Sequence, residues 1–252
     1  DENPNKNHFS KDMGYETFNN NRSIRLKFLI DQNLKLDYYD FKKIKYDNTL
    51  PTPLSYSWMD INALFNIDAN KYPEIRDILF DIQNWDRKAD VNSIGAGAYA
   101  IFYFKLGKYY KKLTPPKIFP KTFIIEALKD TKVHMLQYFG KEKVKLGEFQ
   151  RLVRGDKEIP IFGLRDVLTA MASVPYKKGM SQVTAGESYI ELVKFTSEGP
   201  EIESIISYGS SDDPRSPHYD DQMEKYASFK TKKMTLNKEE ILSKAIKIYN
   251  PK

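Results

Sequence analysis

Three histidines, His8, His134 and His218, and no cysteine set the first limits on the chemistry this chain can carry. Without cysteine there is no thiolate nucleophile, disulfide frame, zinc ribbon or iron–sulfur cluster. A Ser-His-Asp triad could draw on only the three imidazoles, which are too few and too far apart in sequence for a histidine-rich metal centre. The run GAGAY at Gly95–Tyr99 lacks the third glycine of a dinucleotide fingerprint and follows no apolar strand, so close helix packing is the expected role. GESYI at Gly186–Ile190 lacks the second glycine of a nucleophile elbow, and Ser188 opens an expected strand, so that serine reads as structural. Asp212, Asp213, Asp220 and Asp221 have the oxygen chemistry of a calcium loop. Ser216 and Pro217, however, predict a helix start there, whose positive dipole end would stabilise two of these carboxylates without a metal. His218, in the same turn, reads as a packing or hydrogen-bonding residue.

The whole chain narrows the field further. Its 252 residues carry 40 Lys+Arg against 34 Asp+Glu, a net charge of +6. The isoelectric point near 9.1 motivates a polyanion-binding reading, but the cations are interspersed with acids, which favours an ordinary solvated surface and no nucleic-acid partner. Mean hydropathy is -0.60, and no long uncharged apolar run could form a membrane-spanning helix. With 17 Tyr and 15 Phe, the core should be aromatic-rich. The opening DENPNKNHFS has neither the charged nor the apolar region of a signal peptide, and the reading here is of a piece of a longer precursor.

The elements that must position any site are unevenly legible. A helix is expected from about Thr17 to Leu29, then a connector with one short helix to Ser57. NKYPEIRDILFDIQNWD is the clearest helix, with Pro73 in its first turn and Ile75, Ile78, Leu79, Ile82 and Trp85 at helical spacing. AGAYAIFYFKLGKYY predicts a helix that packs closely at its small-residue end. A shorter helix is expected near Phe123–Leu128. From Gly147 turn residues punctuate short strands; SYIELVKFT and IESIISYG read as a hairpin over 188–208, with the first strand apolar on both faces and so buried. Asn237 and Glu240 form a capping pattern for a final helix. Helices first and strands later predict an α+β chain, mostly helical over 1–146 with strands and helices over 147–252.

Three stretches, FQRLVRGDKEIPIFGLRDVL, TAGESYIELVKF and YGSSDDPRSPHYDDQMEKY, resemble the end of the β-subunit of penicillin acylases and the related acyl-homoserine-lactone acylases. FSKDMGYETFNNNRSIRL and NWDRKADVNSIGAGAYAIF add collinear matches. The resemblance implies an N-terminal-nucleophile hydrolase with an αββα sandwich, in which residues 147–252 complete the core. It implies a serine at the start of the β-subunit as nucleophile, outside this chain, whose α-amino group acts as base, and an asparagine and a backbone N–H at the oxyanion. The partners implied are the α-subunit, the N-terminal part of the β-subunit and a small N-acyl substrate, in a periplasmic or secreted enzyme.

Two positions carry over by resemblance. Arg22 in NNNRSIRL matches an arginine beside the active site, and Asp12 in SKDMG matches, with one gap, a calcium-binding aspartate. No cofactor is required for the chemistry; calcium would be structural. The resemblance thus implies a fragment of an enzyme that hydrolyses the amide between an acyl group and an amine, inert by itself. The competing reading is a noncatalytic binding module on the same scaffold.

Overall fold

The computed structural model describes residues 10, 12, 19–33, 35–56, 59–113 and 117–249. They form two compact units, dividing between Glu187 and Ser188. The change from helix to strand comes earlier, near 146–150, so composition and compactness divide the chain at different points.

The first unit is led by helices. After α1 (Asn21–Asp31) and α2 (Tyr38–Lys45), short 3-10 turns over Asn62–Ile75 lead into α3 (Arg76–Gln83), followed by α4 (Ile94–Tyr110), α5 (Lys121–Phe139) and α6 (Leu146–Phe149). The predicted face of α3 is the buried one: Ile75, Ile78, Leu79 and Ile82 are at most 1% exposed. Ser93 caps α4 by accepting a hydrogen bond from the Ala96 amide at 3.1 Å. The glycines of GAGAY do what close packing requires. A side chain on Gly97 would collide with the Val144 carbonyl and the backbone beyond it, and one on Gly95 with Trp85. Helix α5 is much longer than the sequence suggested. Val133, Leu136 and Tyr138 point outward at 61%, 46% and 47% exposure, so apolar side chains occur all round its second half and blur the period.

Two strand pairings complete this unit. β1 (Met59–Asp60) and β2 (Lys117–Ile118) run parallel. The strands β3 (Gln150–Arg154), β4 (Lys157–Pro160), β5 (Met171–Pro175) and β6 (Ser181–Gly186) form a sheet in the order β4-β3-β6-β5, in which only β3 and β6 are parallel. Gln150, buried in β3, donates to the Gly163 carbonyl at 2.9 Å and so ties the 161–170 loop to the sheet.

In the second unit β7 (Tyr189–Thr196), β8 (Gly199–Ile206) and β9 (Lys232–Met234) form an antiparallel sheet, with α7 (Met223–Ala227) and α8 (Lys238–Lys244). The hairpin over 188–208 is as expected, running from Tyr189 opposite Ile206 to Thr196 opposite Gly199. Its burial is not. Ile190 and Leu192 are buried, but Tyr189, Val193 and Phe195 are exposed, Phe195 at 86%, so β7 is covered on one face.

The helix expected from Ser216 is also replaced. The Ser216, Tyr219 and Met223 amides donate to the Asp213, Ser216 and Asp220 carbonyls in successive turns, the Gln222 amide donates back to the Tyr208 carbonyl, and helix begins only at Met223. Asp213 pairs with Arg215 at 2.8 Å and Asp221 with His218 Nδ1 at 2.9 Å, so local side-chain partners stabilise these carboxylates and a helix dipole does not.

Candidate functional site

Asn20 ends the segment before α1 in extended backbone, and its Oδ1 accepts from the Ser23 amide at 3.0 Å. This cap fixes the first turn and therefore the direction of the next two side chains. Asn21 is fully buried: its Oδ1 accepts from the Ser55 amide at 2.7 Å and its Nδ2 donates to Asp166 Oδ1 at 3.3 Å. The other Asp166 oxygen accepts from the Tyr56 hydroxyl at 2.8 Å. Asp166 is held by the 161–170 loop, which turns at Gly163 with φ +90 and returns where the Met171 amide donates to the Leu164 carbonyl at 3.0 Å.

Burial pushes the Asp166 carboxyl above its ordinary value, while hydrogen bonds from Tyr56 and Asn21 and the charges of Arg165 and Arg22 pull the other way. Burial likewise raises the neighbouring phenols Tyr56 and Tyr99, and carries Tyr103 to about 12. All three hydroxyls therefore stay protonated at neutral pH.

Arg22, half-buried, lines an open pocket of about 430 Å³ with Asn20, Arg165 and Asp166. Glu187 stands at its margin and pairs with Lys45. Two guanidinium groups and an amide side chain can hold a carbonyl, carboxylate or developing oxyanion. Among the described residues, the pocket wall carries no serine, threonine or lysine.

The two sequence-derived positions fare differently in what surrounds them. Arg22 faces a pocket. Asp12 is exposed, and its described hydrogen bonds are with Ser10: its Oδ2 accepts from the Ser10 hydroxyl at 3.4 Å. Among the described residues no group of three or more His, Asp or Glu could hold a metal ion, so Asp12 does not by itself fit a calcium that takes roughly six to eight oxygens. His134 and His218 use their ring nitrogens on Lys105, Gly179 and Asp221, and among the described residues neither ring is hydrogen-bonded to a serine hydroxyl. His8 lies outside the described residues. Asn21, Tyr56 and Asp166 were not singled out from sequence. Asn21 and Asp166 sit inside NNNRSIRL and FGLRDVL, yet nothing in either stretch says that the two meet.

Comparison with known proteins extends the reading along the chain. The protein-family model described as Penicillin amidase matches residues 2–243. An acyl-homoserine lactone acylase PvdQ of Pseudomonas fluorescens (strain Pf0-1) is 32% identical over 89 residues, which is 34% of this chain and 11% of that protein. The corresponding acylase of Pseudomonas syringae pv. syringae (strain B728a) is 34% identical over 86 residues, 33% of this chain and again 11% of the relative. The match thus spans about a tenth of the curated relatives' length. Among solved structures, a thermostable penicillin G acylase from Alcaligenes faecalis aligns with 99% of this chain and 56% of its own, at 12% identity and a TM-score of 0.48. With a family match running almost from end to end and through every element of the pocket, the chain belongs to the penicillin amidase family.

Proposed function

We propose that this chain forms part of an exported acylase that hydrolyses the amide between an acyl group and an amine, in a penicillin, an acyl-homoserine lactone or a related N-acyl compound. The observation that carries the reading is the family match over 2–243 together with Arg22 on a pocket wall that has cations and an amide but, among the described residues, no hydroxyl or amine nucleophile. The nucleophile is the serine at the start of the β-subunit, in sequence outside this chain, within an αββα sandwich shared with the rest of the precursor. Its hydroxyl attacks the amide carbon, its own α-amino group takes the proton, and the amine leaves; water then releases the acid from the acyl-enzyme. Arg22 orients the oxyanion asparagine or the substrate carbonyl.

In the assembled enzyme, Arg22→Ala should lower kcat by about 10²-fold, the usual scale for loss of an oxyanion-side donor, with an unchanged unfolding midpoint. Wild-type turnover of the folded variant would refute the role. Asp12 supplies one carboxylate oxygen to a structural calcium whose other ligands lie outside the described residues. Calcium should then raise the unfolding temperature of the assembly, and Asp12→Asn should abolish that rise; an equal response from the variant removes Asp12 from the site.

A further inference from the structure

A second open cavity of about 440 Å³ lies between α4, α5 and the β5–β6 connection, and Asp166 is not among its lining residues. Lys105 and Lys108 face it from α4, and Asp130 and His134 from α5. The imidazole is fixed at both ends. His134 Nε2 lies 2.7 Å from the Gly179 carbonyl oxygen, which can only accept, so Nε2 carries the proton. Nδ1 is then an acceptor, and Lys105 Nζ donates to it at 2.8 Å. Gly179 has φ +74, and a side chain there would run into the Tyr138 ring, so the turn that supplies this carbonyl depends on glycine.

The charges in the cavity do not balance. Asp130 pairs with Lys108 and also accepts from the Tyr109 hydroxyl at 3.0 Å. Lys105, half-buried, has among the described residues a neutral imidazole as its partner and no carboxylate in ion-pair reach. Burial lowers its affinity for the proton and the charge of Lys108 adds to this, while the charge of Asp130 pulls the other way. A cation withdrawn from water with one neutral acceptor is stabilised by a monoanion placed beside it. The remaining walls include Phe104, Val133, Tyr138, Phe149 and Met180, which call for an apolar body on the ligand. A dianion would leave charge uncompensated, and the lysine at Nδ1 blocks metal ligation by this histidine.

We propose that this cavity is a binding site for a small organic carboxylate with an apolar or aromatic body, its carboxylate on Lys105 and its body between the aromatic walls. The volume lies in the range of about 300–1,000 Å³ usual for small-molecule sites. The test is calorimetric titration of the intact, assembled protein with benzoate, beside acetate and inorganic phosphate as anions without an apolar body. Benzoate should bind more tightly than either, and Lys105→Gln should weaken it by about tenfold or more, while Lys105→Arg retains binding. No benzoate binding to the wild type, equal binding by folded Lys105→Gln, or phosphate and acetate binding as well as benzoate would each overturn the proposal. If Lys105→Gln does not fold, saturation transfer from wild-type protein to benzoate decides, competed by a larger aromatic carboxylate and not by phosphate; its absence rejects the site.

Discussion

Asn21 is the side chain on which the Arg22 pocket rests, because it is itself fully buried and bridges the Ser55 amide and the Asp166 carboxylate. Removing it strands the Ser55 amide and takes one donor from a half-buried carboxylate. Asn21→Ala should therefore cost about 2 kcal/mol, for two hydrogen bonds of which one goes to a carboxylate. Tyr56→Phe removes one donor to Asp166 and leaves Asn21 in place, so a smaller loss of about 1 kcal/mol is expected. Denaturant midpoints at constant m-value measure both. Equal losses, or a neutral Asn21→Ala, would show that the cluster does not support the pocket's fold. None of this was legible residue by residue: Asn21 and Asp166 are 145 positions apart, and Tyr56 and Asp166 are 110 apart. Arg22 was found only because its neighbours resemble a family motif.

At the scale of the element, α4 forms one wall of the Lys105 cavity, and its position is set by glycine. Gly97 admits the backbone of Val144–Leu146 against the helix, whereas Gly107, in the same helix, has open space where a side chain would be. Gly97→Ala should destabilise by about 1–3 kcal/mol through overpacking. Gly107→Ala should stabilise by about 0.5–1 kcal/mol, because alanine loses less backbone entropy in a helix. Thermal unfolding of the two variants checks the contrast, and a harmless Gly97→Ala would mean that α4 is not held where the structure puts it. The helices were readable where one face is apolar, as in α3, and where a cap is explicit, as at Asn237, whose Oδ1 accepts from the Glu240 amide at 3.1 Å. Where apolar groups encircle the helix, as in the second half of α5, the period gave no end point.

For the molecule as a whole, the decisive features are a pocket whose described wall carries no hydroxyl or amine nucleophile and a sheet face without cover. Among the described residues, Tyr189, Val193 and Phe195 leave the outer face of β7 apolar and open to solvent. Such a surface favours association. Expressed alone, residues 1–252 should hydrolyse no N-acyl amine and should self-associate, and Phe195→Lys should reduce that association without changing the unfolding midpoint. Light scattering and an amide-hydrolysis assay on the isolated chain provide the check. A strictly monomeric wild type contradicts the exposed-face argument, and turnover by the isolated chain contradicts the division of labour proposed for the nucleophile.

What the amino-acid sequence determined by itself was composition-bound or local. The absence of cysteine excludes thiol chemistry outright, caps and apolar spacing mark α3, α8 and the β7–β8 hairpin, and contiguous motifs carry the family resemblance that the 2–243 match bears out. Each depends on residue types or on neighbours a few positions apart. Only the tertiary structure decided which face of β7 is covered, how the 208–222 segment turns, and how Asn21, Tyr56 and Asp166 converge beside Arg22. The same is true of Lys105, which meets His134 rather than a carboxylate. These depend on hydrogen-bond distances and burial between segments far apart in the chain, which periodicity cannot encode because it reports one element's face and not the partner that comes to lie against it.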